Sequence, residues 1–485
     1  MRKVPVNLFG SSYKKDDVQN ASSQNLINWY IEESPNGDTI MVLPTPGCAE
    51  WLDLSGSVVR GMHQHNDVGY VVVDNKVYSI TKTKVYRLLG TLTTSTGRVC
   101  ISSISDEVVF ADGSKCWSYQ ITADNFSEIT DVDLPTGVSI VVGISAYFLY
   151  IAPETQAVYV SELNDGRSIL ATALFQAEID SDKVLSGYAS NYLAYIFGST
   201  STEIWYPSGQ QGGAPFDRYS RGALSYGIAA KHLAADAFGS MFWVATGKSG
   251  IIGLVRADEN SIEVISNRAF VRQLNSYIDI SDGFAWVDIY DSHVFFNMTF
   301  PSATESRGYT HSFDITTKTW LQRETYNPSN SFEPGYDRYL ANCYMSLGNK
   351  QLIGDFQSGK IYEVSKSYGT DNTIPIRREG ETVDFQDNHN MFSMSDLQVE
   401  VEDSIGLDGD AVPGSSPVLN MQVSSDHGRT YSQQMSRNGP AIGEYNKKLS
   451  WECGAGYSLR FKFSCSDPVN WALIRATATM EMGNG

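Results

Sequence analysis

Apolar and polar positions along this chain come in short runs separated by turn residues, and the pattern repeats. Residues 67–80, DVGYVVVDNKVYSI, show the unit. An apolar run leads into an Asp-Asn-Lys turn and then a second run carrying Val77, Tyr78 and Ile80. That pattern predicts a β-hairpin. Residues 58–65 predict a strand leading into it, and residues 84–92 a less apolar fourth strand. Comparable units follow at 98–130, 138–179, 184–209, 228–267, 284–324 and 339–367. Their turns carry Asp-Asn, Asp-Gly, Gly-Ser or Ser-Gly, which suit tight β-turns.

Unit starts at Val58, Arg98, Val138, Val184, Ile228, Phe284 and Tyr339 lie roughly 40 to 55 residues apart, the length of a four-stranded propeller blade. Radial closure hides the edges of so many hairpins, and hairpins without intervening helices exclude a βαβ sheet. The chain is therefore expected to be all-β, with a β-propeller over residues 58–370. The propeller has seven blades, or six if two weak units merge. A solenoid or a string of sandwiches is the alternative.

Residues 1–57 read as an N-terminal segment able to supply a ring-closing strand. Residues 371–383, TDNTIPIRREGET, read as a linker. Residues 384–485 alternate apolar and polar positions, as in a small antiparallel β-sandwich. The loop 406–417 is an excursion within it.

Composition agrees with an all-β chain: 12% aromatic residues, with 27 Tyr and 41 Gly among 485 residues. The balance is acidic, with 36 basic against 55 acidic side chains and a formal charge of −19. That argues against a broad basic grip on nucleic-acid phosphates. It is compatible with a wall along which DNA slides, or with a merely soluble surface. Six cysteines without a CxxC pair predict free thiols. Residues 1–17 lack the apolar core of a secretory signal. The longest apolar run, 138–152, is too short for a membrane span and predicts two strands around a turn.

Candidate chemistry is sparse. SSDHGRTYS (424–432) fits an Asp-box-like turn through Ser424, Asp426, Gly428, Thr430 and Tyr431. Asp426 is expected to accept backbone N–H groups, and Gly428 to take a positive φ. Gly47 and Gly61 are read as turn or close-packing positions. His63 and His65 share one strand face but lack a third metal ligand. His293 and His311 are isolated. Asp288 and Asp291 could be offered as a glycosidase pair, but their spacing is not diagnostic. There is no G-x-S-x-G elbow and no phosphate-binding loop, so no catalytic residues and no cofactor are assigned. The stretch 198–223 stands apart. Trp205 and Tyr206 end a hairpin, and a Gly/Gln-rich loop leads to Phe216, Arg218 and Arg221. These five are the candidate docking residues. The alternative is an inter-blade connection packed by its own side chains.

The order of several segments resembles phage packaged-DNA stabilisation proteins, the tail-hub or nozzle-type proteins of short-tailed phages. The segments are LPTPGC (43–48), VVRGM (58–62), YVVVDNKVYSI (70–80), GRVCISS (97–103) and FGSTSTEIWYPSG (197–209). FDRYSRGALSYGIAA (216–230), FWVATGKSGIIGLVRA (242–257), ISNRAFVRQL (265–274), VSSDHGRTYSQQ (423–434) and GEYNKKLSWECGAG (443–456) continue it. The resemblance implies a non-enzymatic virion protein, assembled in the host cytoplasm into a ring, a hexamer, below the portal. Such a ring continues the DNA channel and helps retain packaged DNA. Its implied partners are further copies of itself, a portal-side adaptor, and tail needle or tailspike proteins. Double-stranded DNA would pass through the lumen without specific contacts, and this chain would insert in no membrane. A carbohydrate-binding or depolymerising propeller of the tail is the alternative.

Overall fold

Seven sheets stand side by side around one axis. Their innermost strands are Val59–His65, Cys100–Ile104, Ile140–Ile144, Val184–Ser190, Ala234–Ala237, Phe284–Tyr290 and Ala341–Leu347. Each packs on the next, and the last packs on the first, so the ring is closed. This is the expected β-propeller, in a computed structural model. The model describes residues 2–9, 25–33, 40–152, 155, 157–171, 175–176, 182–209, 215–258, 261–327, 335–387, 390–409 and 412–482. Among these residues the one helix is Arg268–Asn275, between the fifth and sixth blades. Asn267 caps it, its side chain accepting the Phe270 N–H at 2.9 Å.

Six blades take their strands from consecutive chain. The first runs Val59–His65, Val68–Val73, Lys76–Thr81, Tyr86–Thr91, all antiparallel. The seventh has three consecutive strands, Ala341–Leu347, Lys350–Asp355 and Lys360–Ser365. Its outer strand is Gly47–Asp53, paired antiparallel with Lys360–Ser365. The N-terminal segment thus closes the ring.

Hairpin geometry explains the turn residues. The first hairpin of each blade places at least one residue at positive φ: Asn66 (52°), Ser105 (25°), Ser145 (55°), Asn191 (53°), Phe238 (51°), Asp291 (51°) and Gly348 (62°). Such turns match the twist of the strands they join. Blade-to-blade links are held by side chains. Buried Arg60 donates from Nε to the Gly97 carbonyl (2.7 Å) and from its Nη atoms to the Asp74, Thr94 and Thr96 carbonyls. This fixes the link from blade one to blade two.

The rest of the chain forms a two-sheet sandwich. One sheet runs Trp29–Glu33, Ile40–Pro44, Leu473–Met482, Phe392–Val401, Lys448–Trp451, with Arg2–Val6 paired to Leu473–Met482. The other continues the sixth blade. From Thr319–Tyr326 it passes through Asn25–Ile27, Arg378–Glu381, Ser458–Cys465, Val418–Ser424 and Met435–Asn438. Between the sheets lie Trp29, Tyr30, Leu397, Val399, Trp451, Phe461, Phe463 and Trp471.

Two expected boundaries therefore change. Residues 1–57 are not one unit, because Trp29, Tyr30 and Ile31 are core residues of the sandwich and Gly47–Asp53 belongs to the propeller. Residues 371–383 are not a free linker. Arg378–Glu381 is an interior strand between Asn25–Ile27 and Ser458–Cys465, its polar residues paired to neighbouring charges.

A buried polar seam joins closure strand, blades and sandwich. Asp371 pairs in parallel register with Cys48. Its carboxylate accepts from the Thr325 hydroxyl (3.0 Å) and the Cys48 thiol (3.8 Å). Arg323 donates to Asp288 (3.2 Å) and lies 3.8 Å from the Tyr339 ring centre. Burial pushes the Asp371 carboxyl up to about 6, against partial relief from Arg323.

Two measurements follow. A side chain at Gly47 would strike the Tyr368 carbonyl (2.6 Å) and that of Thr370, and one at Gly61 the Val99 carbonyl (2.6 Å). Gly47→Val and Gly61→Val should each lose at least about 2 kcal/mol in urea unfolding, because backbone cannot yield as a flexible side chain can. The second concerns pH. Folded Asp371 keeps its proton where the unfolded chain has released it, so its contribution falls as pH rises from about 4 through 6, by about 3 kcal/mol. The wild-type minus Asp371→Asn difference in unfolding free energy, measured at steps across that range, should fall in that sense. A flat difference would refute it.

Candidate functional site

The strand Thr202–Pro207 of the fourth blade pairs with Phe216–Leu224. Trp205 stands opposite Arg218, Tyr206 opposite Asp217 and Pro207 opposite Phe216. Strand alternation sends the first and last of these aromatics inward. Trp205 and Phe216 are buried in a cluster with Ile151, Val158 and Ile196. Phe216 meets Tyr147 of the third blade edge-on at 5.7 Å. Trp205 Nε1 donates to Glu203 (3.1 Å), which also holds Arg218 (3.0 Å), and the Arg218 guanidinium lies 5.0 Å from the Trp205 ring centre.

Of the five candidate docking residues, then, Trp205 and Phe216 are core and Arg218 is tied to a buried carboxylate. Tyr206 is exposed. Arg221 lies on the strand Phe216–Leu224, its side chain outside the described residues, as is the loop tip 210–214.

The structure adds residues that the sequence reading passed over. Tyr206 and Pro207 share a depression with Tyr192, Leu193 and Tyr219. Tyr192 is 79% exposed and Phe238 78%, each in the first hairpin turn of its blade, four and five. The Asn191 side chain ties the two turns together by donating to the Gly239 carbonyl at 3.3 Å. Phe238 is a bulky residue in the left-handed region, where Asn or Gly is the ordinary choice. An apolar side chain at a turn position was the available signal.

The Asp-box-like turn closes the hairpin from Val418–Ser424 to Met435–Asn438. Asp426 accepts from the Thr430 hydroxyl (2.7 Å), the Thr430 N–H (2.9 Å) and the Arg429 N–H (3.0 Å). Those bonds, the Thr430 hydroxyl first, hold its carboxyl well below the usual carboxylate range. Ser424 Oγ accepts the Gly428 N–H (2.9 Å), and Gly428 has φ 80°. The Asp426 carboxylate and the Ser424 hydroxyl are thus spent on their own turn.

Residues 2–369 match the family described as Bacteriophage P22 Gp10, beta-propeller. The chain belongs to this family. It is a family of phage stabilisation proteins with a tail accessory role in the virion. The match spans the ring-closing strand and all seven blades and stops before Arg378–Glu381. No curated protein matches the chain. Among solved structures, the N-terminal domain of Nup159 is 9% identical with TM-score 0.40, covering 71% of this chain and 99% of that one. The Neurospora crassa Pan2 WD40 domain is also 9% identical with TM-score 0.40, covering 66% and 94%.

The remaining candidates of the phage stabilisation chain are structural in their contacts. His63 Nε2 bonds the Ser103 hydroxyl (2.8 Å) and His65 Nε2 the Ser105 carbonyl (2.9 Å), linking blade one to blade two. Burial, and then His65, push His63 down to about 4. His293 bonds Asp314 at 2.6 Å, and His311 bonds Tyr277 at 2.5 Å. Among the described residues no group of three or more His, Cys, Asp or Glu could hold a metal ion. Asp288 is buried between Arg323 and Asn297, and Asp291 sits in a turn paired with Lys366.

Core and surface aromatics should separate cleanly in unfolding experiments. Trp205→Ala should cost about 3–5 kcal/mol. Tyr206→Ala should stay within about 0.5 kcal/mol of wild type. Phe238→Asn should match or exceed wild-type stability, because it relieves a left-handed bulky residue.

Proposed function

We propose that this protein is a tail hub that assembles as a ring, a hexamer, below the portal. The ring continues the DNA channel, helps retain the packaged genome and docks other tail proteins. The family match over residues 2–369 carries this reading. A propeller closed by its own N-terminal strand is a stiff disc that suits repeated packing in a ring. The exposed Tyr192, Tyr206 and Phe238 offer aromatic anchors on rigid hairpins, the kind of residue that dominates protein interfaces. Their partners on this reading are neighbouring copies, a portal-side adaptor, and needle or spike proteins.

The formal charge of −19 favours a lumen that lets double-stranded DNA pass without gripping it. The chain acts in the virion tail as a structural part without enzymatic activity. Among the described residues no helix is long and apolar enough to cross a membrane.

Mass measurement of the purified protein, free and in virions, tests this. A ring mass on the particle, and lowered incorporation of Phe238→Asn combined with Tyr192→Ser, are expected. A strictly monomeric chain absent from purified virions would sink the proposal.

A further inference from the structure

Where the innermost strands begin, the seven blades line a partly open cavity of about 350 Å³ on the propeller axis. Every blade contributes to its wall, including Gly61, Arg98, Ile140, Ser186, Lys231 and Cys343. Its charge is unusual for so acidic a protein. Arg98 donates from Nη1 to the Asn342 carbonyl (2.6 Å) and lies 3.9 Å from the Phe284 ring centre. Lys231 enters from the fifth blade, next to His232. Among the described residues neither Arg98 nor Lys231 has a carboxylate partner.

Against these two cations the wall sets one carboxylate, Asp236, which leaves a net positive charge. The Asp236 carboxylate accepts from the Ser190 hydroxyl and the Gly239 N–H rather than from either cation. Burial first, then Arg98 and Lys231, push His232 down to about 3, so its imidazole is neutral. The thiols of Cys100 and Cys343 are raised by burial, Cys343 to about 12, so neither supplies a thiolate. Arg338 lies behind the wall, 5.6 Å from the same Phe284 ring centre, and its charge is offset by Asp337, Asp282 and Asp355. Trp286, 6% exposed, also stands in the wall with its indole N–H unpartnered.

Half-buried cations gain from a counter-charge, because partial removal from water is costly. A guanidinium fork and an ammonium in the wall of one cavity are a donor set suited to phosphate oxygens. We propose that the axial cavity is a binding site for a phosphate-class oxyanion, held by Arg98 and Lys231. A free phosphate ion and a phosphomonoester share this chemistry. The site is independent of the tail-hub reading, because it rests on the cavity alone.

Isothermal titration of the full chain at low ionic strength tests it, with inorganic phosphate and with a nucleoside monophosphate in separate arms. Sodium chloride at matched ionic strength is the control. Saturable uptake of one phosphate per chain is expected, weakened at least about tenfold in Arg98→Met and in Lys231→Met. Binding of phosphate alone assigns the site to the free ion, and binding of both extends it to phosphomonoesters. Arg98 also bonds backbone, so its variant could fold poorly; Lys231→Met then carries the comparison. No saturable phosphate binding to wild type, or unchanged binding in Lys231→Met, overturns the proposal.

Discussion

Ring closure is the constraint on which the rest of the molecule depends. The seventh blade has only three consecutive strands, and its outer edge would be an open ladder of N–H and C=O groups. Gly47–Asp53 fills it from the other end of the chain, and Lys360 and Glu50 meet there at 2.6 Å. This placement decides what residues 25–33 and 40–44 can do. They must arrive at the rim beside the sixth and seventh blades, and Asn28 fixes them there. Its side chain donates to the Glu324 and Arg377 carbonyls (3.0 and 2.8 Å) and accepts the Glu324 N–H (3.1 Å). Its own carbonyl accepts from Thr45 N–H at 3.0 Å, just before the closing strand. One buried amide thus ties together the sixth blade, the sandwich and the approach to closure. The sandwich grows from this point as a continuation of the blade-six sheet.

Turn chemistry explains a second property, the acidic surplus. Several aspartates act as turn caps. Asp112 accepts the Thr93, Thr94, Ser114 and Lys115 N–H groups, and Asp182 those of Ser199, Thr200 and Ser201. Asp355 accepts the Gln357 N–H and the Ser358 hydroxyl. A short carboxylate is suited to bridging orphan amides in a tight turn. Part of the negative charge is therefore fixed by the hairpin repeat rather than selected for a surface field. The inside of the ring is different again, with Arg98 and Lys231 on the axis and acids on the turns.

The repeat was legible because its periodicity is local. The expected unit starts at Val184 and Phe284 coincide with strand starts, and those at Val58, Val138 and Tyr339 lie within two residues. The run 138–152 is the hairpin Ile140–Ile144 and Tyr147–Ile151. The sorting of the N-terminal segment was not legible, because strand pairing across more than 300 residues leaves no local trace. RREG looked like a linker because its charges are satisfied only by distant partners, such as Asn470 for Arg378 and Lys462 for Glu379. The blade-four stretch leaves docking and self-packing open in the sequence for a related reason. Aromatic and Arg side chains beside a Gly-rich stretch look exposed, but strand alternation and buried Glu203 draw Trp205, Phe216 and Arg218 into the blade.

What separates Phe238 from those residues is its backbone. A buried aromatic needs no explanation beyond the apolar area it removes from water. Phe238 removes little, since it is 78% exposed, and it holds φ 51° in a turn whose neighbours on other blades use Asn, Ser, Asp or Gly. Both features work against the stability of the isolated chain. Both suit a contact made after folding, because the strained turn fixes the ring's direction and leaves little rotamer freedom to lose on binding. The rigid ring makes that arrangement workable: the hairpin below Phe238 is held by buried Met241, Phe242 and Trp243, so the turn cannot relax by moving its strands. The same closure that shapes the fold thus keeps an unfavourable tip exposed at the end of a rigid hairpin.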